Sequence, residues 1–124
     1  MRQIWKLTST AVTEAALDIA GRLQKADPRN PFPHNLAGSA HIQAKRYEKA
    51  RENFLAALKI KSDYRPAKYN LANMAYRLEG PEAAKRHYLA ILETEPNQIR
   101  AMTALTDIAV RLGNKDDDAK RPSP

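Results

Sequence analysis

The chain has 124 residues, with 21 Lys and Arg against 14 Asp and Glu and a formal net charge of +7. That length is typical of one domain, and the abundance of Ala and Leu beside only two Val favours helices and excludes an ordinary all-β or α/β domain. Cys is absent from the sequence, which excludes disulfides, a thiolate nucleophile and Cys-ligated zinc.

The N-terminal segment, residues 1–10, has two interpretations. It is either a truncated first helix with Ile4 and Leu7 facing inward, or an extended arm. The segment lacks the long apolar core and the cleavage site of a signal peptide. No apolar run elsewhere in the sequence approaches the ~20 residues of a membrane-spanning helix, so no transmembrane segment is expected.

Apolar residues then recur at spacings of three and four, which is typical of one face of a helix. This pattern predicts a first helix over 11–26, two helix pairs, at 32–44 with 47–61 and at 65–78 with 81–94, and a last helix over 99–112.

Turn residues separate these elements. Glu79-Gly80-Pro81 predicts a tight turn, since Gly suits the positive φ after a helix and Pro suits the first turn of the next one. Asp27-Pro28 and Glu95-Pro96 break the chain between pairs. Residues 114–124 are too polar to bury apolar area, and we expect a disordered tail there.

The sequence repeats itself with a period of 34 residues. Ala16, Ala50 and Ala84 align at this period, and small or apolar residues recur at most of the other aligned positions. Small residues allow helices to approach closely, and we expect Phe54 and Tyr88, which align with each other, to fill the gap between layers. Each repeat is thus a helix, a tight turn and a second helix.

This unit resembles the tetratricopeptide repeat (TPR). Residues 65–98 match it best, and the unit at 31–64 matches with departures at His34, His41 and Ser62. The resemblance implies an all-α, right-handed α-solenoid with about three repeats over 11–113, capped by the helix at 99–112. The matching signature residues of the better unit are Leu71, Ala72, Gly80, Ala84, Tyr88, Ile91 and Pro96.

In a TPR fold the first helices of successive repeats line a concave groove that holds a partner. Amides there offer donors and acceptors to a peptide backbone, and arginines pair with carboxylates. We expect a non-enzymatic protein-interaction module that binds an acidic or extended peptide, although a passive, solvated scaffold face is the alternative. The resemblance implies these groove residues: Asn35, Ser39, Gln43, Tyr69, Asn73, Tyr76, Arg77, Arg100, Thr103, Asp107 and Arg111.

Some TPR domains hold a peptide's terminal carboxylate with a clamp of Lys, Asn and Arg. Asn70 and Arg100 match two of its positions, whereas Asn35, Ser39 and Ala104 do not supply the other residues. We therefore do not expect chaperone tails to bind through a clamp of that kind.

A narrower resemblance concerns the residues found in particular segments of the repeats. Asn30-Pro31 and the segments 35–38, 70–72 and 104–109 resemble bacterial TPR lipoproteins linked to exopolysaccharide export and PEP-CTERM sorting. That resemblance implies a structural section of a longer envelope array, in a periplasmic or membrane-anchored location. A complete chain is expected to be cytoplasmic.

Two histidines on one predicted helix face, His34 and His41, raise the question of a metal site. Both replace core positions of the repeat and no third ligand is suitably spaced, so we expect buried, hydrogen-bonded histidines and no metal. The sequence has no Gly-rich phosphate loop and no catalytic constellation. Neither enzymatic activity, a cofactor nor a small-molecule substrate is therefore expected.

A basic stretch over residues 41–70 carries eight Lys and Arg against three acidic residues. Nucleic acid or another anionic polymer could neutralise such a surface, which makes it a minor alternative. Mixed charges are also typical of a solvated helix surface, and we do not expect nucleic acid as the partner. Oligomer formation through the terminal helices stays open.

Overall fold

The structure, a computed structural model, describes residues 2–120 and, within them, the side chains of residues 10–113. The described chain contains no strand, so the all-α prediction is confirmed. None of its helices is both long and apolar enough to cross a bilayer. Its helices are α1 (Arg2–Ala26), α2 (Phe32–Gln43), α3 (Tyr47–Ile60), α4 (Arg65–Glu79), α5 (Pro81–Thr94) and α6 (Ile99–Lys120).

The two helix pairs lie where the sequence predicts them. Each of α2 to α5 begins at its predicted residue and ends within one residue of its predicted end. Pro81 opens α5, and the fixed φ of proline suits a first helical turn.

The terminal helices are longer than predicted. Residues 2–10 are helical, as one of the two interpretations holds, but they continue α1 without a break. Helix α6 passes its predicted end at 112 and takes in residues 114–120 of the predicted disordered tail. Pro28 is the first proline of the sequence and Pro122 is the first after Pro96, so no proline interrupts either extension. Residues 121–124 of the predicted tail lie outside the described residues.

The chain divides into two compact units between Leu71 and Ala72, within α4. We call the part up to Leu71 the N-terminal unit and the part from Ala72 the C-terminal unit. The N-terminal unit holds α1, α2, α3 and the first turns of α4, and the C-terminal unit holds the rest.

The core of the N-terminal unit depends on a close approach of α2 to α3. Phe54 of α3 is fully buried, and so are Ala50 and Ala57 one turn to either side. A Cβ atom added to Gly38 of α2 would lie only 2.5 Å from Cε1 of the Phe54 ring. Glycine at this position therefore makes room for the ring, as the repeat pattern predicts for its small residues.

The C-terminal unit buries the equivalent residues of the next repeat. Ala84, Tyr88 and Ile91 of α5 are buried, and α5 packs against α6. Among the described side chains of α6, those of residues 99–113, Ala101 and Ile108 are buried, and they lie seven positions apart and hence on one helix face. The side of α6 that carries Ala101 and Ile108 thus faces the core of this unit, whereas Met102 is 42% exposed.

The helix-connecting turns of the two repeats differ in chemistry. Between α4 and α5, Gly80 has φ 102° and its N–H donates to the carbonyl oxygens of Ala75 and Tyr76, at 3.1 and 3.0 Å. Between α2 and α3, Lys45 takes a positive φ of 61°. Only glycine adopts such angles without steric cost, so Lys45 is strained where Gly80 is not.

We expect Gly38→Ala to lower the free energy of unfolding by about 1–3 kcal/mol, because the buried Phe54 ring cannot move aside in a packed core. Gly21→Ala is the matched control: Gly21 is also helical, and nothing lies within 4 Å of its added Cβ. The control should be neutral or slightly stabilising. Urea unfolding followed by circular dichroism measures both, and equal effects would contradict the close approach.

We expect Lys45→Gly to raise the free energy of unfolding by about 0.5 kcal/mol, because relief of the strained φ outweighs the added flexibility of the unfolded chain. Gly80→Ala should lower it by about 1–3 kcal/mol, since φ 102° with ψ 179° is a conformation for glycine. Denaturant titrations of both variants measure whether the free energy of unfolding changes in opposite directions. Changes of the same sign would contradict the expectation.

Candidate functional site

In the N-terminal unit, two of the predicted groove helices are joined by an amide pair. Nδ2 of Asn70 on α4 donates to Oδ1 of Asn35 on α2 at 3.0 Å. This bond uses one polar atom of each amide, so the Asn35 NH₂ group and the Asn70 carbonyl oxygen keep their capacity for further bonds. Ser39 is half-buried and Gln43 is exposed farther along α2. Their contact with a partner stays a prediction.

Tyr69 differs from the sequence-based expectation. We expected its ring to offer contact area to a partner, but only 4 % of the residue is exposed. An aromatic ring has a large apolar area, and its burial is favourable when space in a core is available. Tyr69 therefore serves packing in this structure.

In the C-terminal unit, a core tyrosine positions a surface amide. The hydroxyl of Tyr88, a buried residue of α5, donates to Oδ1 of Asn73 on α4 at 2.8 Å. The bond satisfies the buried hydroxyl and leaves the NH₂ group of Asn73, an exposed residue, as a donor.

The remaining groove residues predicted in this unit lie on α4 and α6. Their spacing places them on one face of each helix. Asn73, Tyr76 and Arg77 lie three and four residues apart on α4. The predicted residues of α6 follow at spacings of three and four. We call the whole set the arginine face: Asn73, Tyr76 and Arg77 of α4, and Arg100, Thr103, Asp107 and Arg111 of α6.

The two helices meet at the Arg111 guanidinium. Nε of Arg111 donates to Oδ2 of Asp107, one turn earlier on α6, at 3.0 Å. This hydrogen bond and the charge of Asp107 raise the pKa of Arg111, and a side-chain hydrogen bond with Tyr76 adds to the effect. The Arg111 guanidinium is thus paired with a carboxylate of its own helix, and the contribution of Tyr76 from α4 is not revealed by sequence spacing alone.

The electrostatic character of the arginine face is positive. It carries three arginines against one aspartate, and all four residues are exposed. A ligand carboxylate can pair bidentately with an exposed guanidinium. At Arg111 the ligand carboxylate must share the guanidinium with Asp107 or displace the Asp107 carboxylate from it.

The two histidines of α2 do not form part of a metal centre in the described chain. Within residues 10–113, no three His, Asp or Glu side chains come close enough together to hold a metal ion. His41 is buried as expected, and its Nδ1 has no hydrogen-bond partner in the structure. His34 is half-buried.

The surroundings of His41 disfavour its protonated form. Burial lowers the pKa of its imidazole below the ordinary value of 6.5, and the charges of Arg46, which precedes α3, and of Lys49 on α3 lower it further. Glu14 of α1 opposes this shift. The folded N-terminal unit therefore resists uptake of a proton at His41.

The basic stretch over 41–70 is partly neutralised. Arg46 lies 3.7 Å from Glu14 of α1, and Arg51 lies 3.8 Å from Glu48 on the same helix. Acidic and basic side chains are thus interspersed on this surface, which is typical of a solvated helix face. Within residues 41–70, all of them described, the structure adds no feature that favours nucleic acid.

Comparison with known proteins supports the interpretation of this chain as a repeat protein. No family model matches the chain. RNA polymerase II-associated protein 3 from human is 28% identical over 103 residues, and the rat protein is 25% identical. The match covers 83% of this chain but only 16% of either relative, so the chain spans about one sixth of their length.

Solved structures give a closer comparison of the fold. The first TPR of Spaghetti (RPAP3), bound to the HSP90 peptide SRMEEVD, is 27% identical with a TM-score of 0.68, and the match covers 87% of this chain and 88% of that one. The second TPR domain of human RPAP3, in complex with the HSP70 peptide SGPTIEEVD, is 22% identical with a TM-score of 0.64, covering 83% and 86%. The Sgt2 TPR domain from Aspergillus fumigatus is 19% identical with a TM-score of 0.70, covering 94% and 79%.

These similarities identify the chain as a tetratricopeptide-repeat protein, as the 34-residue period implies. The human, rat and fungal relatives give no support to the resemblance to bacterial envelope lipoproteins.

We expect stability to fall as the pH drops below the ordinary histidine pKa of 6.5. The unfolded chain then binds a proton at His41 that the folded chain resists, so stability is lost until the lowered folded pKa is passed. His41→Gln should flatten this part of the profile. Urea unfolding between about pH 7.5 and pH 5 measures the slope, and an unchanged slope in the variant would exclude His41 as its source.

Proposed function

We propose that the chain is a non-enzymatic protein-interaction module that binds an acidic, extended peptide segment on the arginine face. The observation that carries this proposal is the likeness to the first TPR of Spaghetti (RPAP3), which is bound to a peptide ending in Glu-Glu-Val-Asp. That likeness extends over most of both chains.

The chemistry of the arginine face supports an acidic ligand. Arg77 and Arg100 are exposed on successive first helices of the repeat, and a guanidinium binds a carboxylate with two parallel hydrogen bonds. Asn73 and Thr103 add polar groups that can bond to a peptide backbone, which gives affinity that does not depend on the peptide's side chains.

The manner of binding differs from the complete carboxylate clamp of some TPR domains. Only Asn70 and Arg100 occupy matching positions, so the proposed contacts with carboxylates depend on arginines instead of the clamp lysine. Lysine acts as a point charge, whereas the planar arginine fork prefers a carboxylate held in plane with it. The module should therefore prefer peptides with two or more carboxylates over a single terminal one.

Charge reversal tests the proposed site. Arg77→Glu and Arg100→Glu should each weaken binding of an acidic peptide at least tenfold, because an attractive contact becomes a repulsive one. Arg86→Glu is the matched control, since Arg86 is also exposed in the C-terminal unit but lies on α5. Titration of a fluorescent SRMEEVD peptide, read by anisotropy, gives the dissociation constants.

The same titration includes Asp107→Asn, which should strengthen binding by releasing Arg111 from its intrahelical ion pair. Circular dichroism verifies that each variant keeps the helical fold. Equal loss of affinity in the Arg77 variant and the Arg86 control, or no measurable binding by the unaltered chain, would contradict the proposal.

A further inference from the structure

One apolar face of α1 has no covering element among the described residues. Val12, Ile19 and Leu23 are 64%, 51% and 37% exposed, and they follow one another at spacings of seven and four, hence on one side of the helix. Alanines fill the positions around them, and no charged residue interrupts the set. We call it the α1 apolar face: Val12, Ala15, Ala16, Ile19, Leu23 and Ala26.

The repeat indicates that part of this face, at Ala16 and Leu23, occupies positions built for packing. At the 34-residue period, Ala16 and Leu23 of α1 correspond to Ala50 and Ala57 of α3. Both α3 residues are fully buried. Ala16 is only half-buried and Leu23 is exposed, so these two positions are left partly open to solvent in α1 although they are packed in α3.

Charges at the border of this face indicate what covers it. Asp18 and Arg22 lie side by side along one edge, where they form an exposed ion pair at 3.2 Å. If a second α1 packs antiparallel about a two-fold axis near residue 20, Asp18 of each copy lies opposite Arg22 of the other. The edge is thus complementary to itself under that symmetry, which is the requirement for an isologous contact.

We propose that the α1 apolar face is the contact surface of a homodimer in which α1 packs antiparallel against α1 of a second copy. Alanines allow the two helices to approach, while Val12, Ile19 and Leu23 fill the space between them. Residues 12–26 span about 22 Å of helix. A contact of that length is smaller than a standard interface, so the dimer is weak and forms in a concentration-dependent manner.

Sedimentation velocity of the 124-residue chain, from roughly 1 μM to 1 mM, measures the association. Ile19→Lys should raise the dimer dissociation constant at least tenfold. Leu55→Lys is the matched control: Leu55 is 52% exposed on α3 of the same unit, against 51% for Ile19, so both changes add one charge at an equally exposed apolar site. The control should leave association unchanged.

Charge exchange tests the antiparallel arrangement. Asp18→Arg should weaken the dimer, because the introduced guanidinium then faces Arg22 of the second copy, and adding Arg22→Asp should restore it. The sequence lacks Cys, so a single Ile19→Cys supplies a unique thiol near the proposed axis, and it should form an intermolecular disulfide on mild oxidation while Leu55→Cys does not.

Three results would overturn the proposal. These are a chain that stays monomeric over the whole concentration range, a dimer that Ile19→Lys and Leu55→Lys weaken equally, and a dimer that the charge exchange fails to restore. Circular dichroism of each variant verifies that the helices are intact.

Discussion

The structure depends on how closely one helix can approach another, and that distance is set by the smallest residue at the contact. In the N-terminal unit the ring of Phe54 occupies the space that a side chain at Gly38 would need. Ala50 and Ala57, which flank the ring, are fully buried. Apolar burial is a general driving force, but it is not directional. A glycine opposite a phenylalanine is specific, because only one alignment of α2 and α3 brings the two together.

Sequence reasoning predicted most of the fold because the repeat supplies the same information several times. A helix boundary read from Gly80-Pro81 or Glu95-Pro96 agrees with the structure within a residue, since those residues change the backbone directly. A helix over residues 2–10 was one of two open interpretations, whereas the outer end of α6 was missed. Polar composition argues against burial, but it does not stop a helix that has no proline in its path.

The candidate site was predictable only in part. Spacing assigns Asn73, Tyr76 and Arg77 to one face of α4 correctly, because that follows from 3.6 residues per turn. It cannot reveal that Tyr76 contributes to the surroundings of Arg111, or that Tyr69 is buried, since both depend on neighbours that are distant in sequence. His41 shows the same limit. Its burial followed from the repeat position, whereas its unpartnered Nδ1 depends on the particular side chains around it.

The hydroxyl of Tyr88 has a consequence for recognition. The equivalent position of the preceding repeat holds Phe54, which has no hydroxyl, and the residue equivalent to Asn73 is Ser39, so the tie between a surface amide and the core in the C-terminal unit has no equivalent at these two positions. An amide fixed in advance loses little conformational entropy when a ligand binds, whereas a freely rotating one must be ordered at that moment. The two repeats thus have similar backbones but unequal preorganisation, and a partner that lies across Asn73 meets a donor whose direction was set when the protein folded.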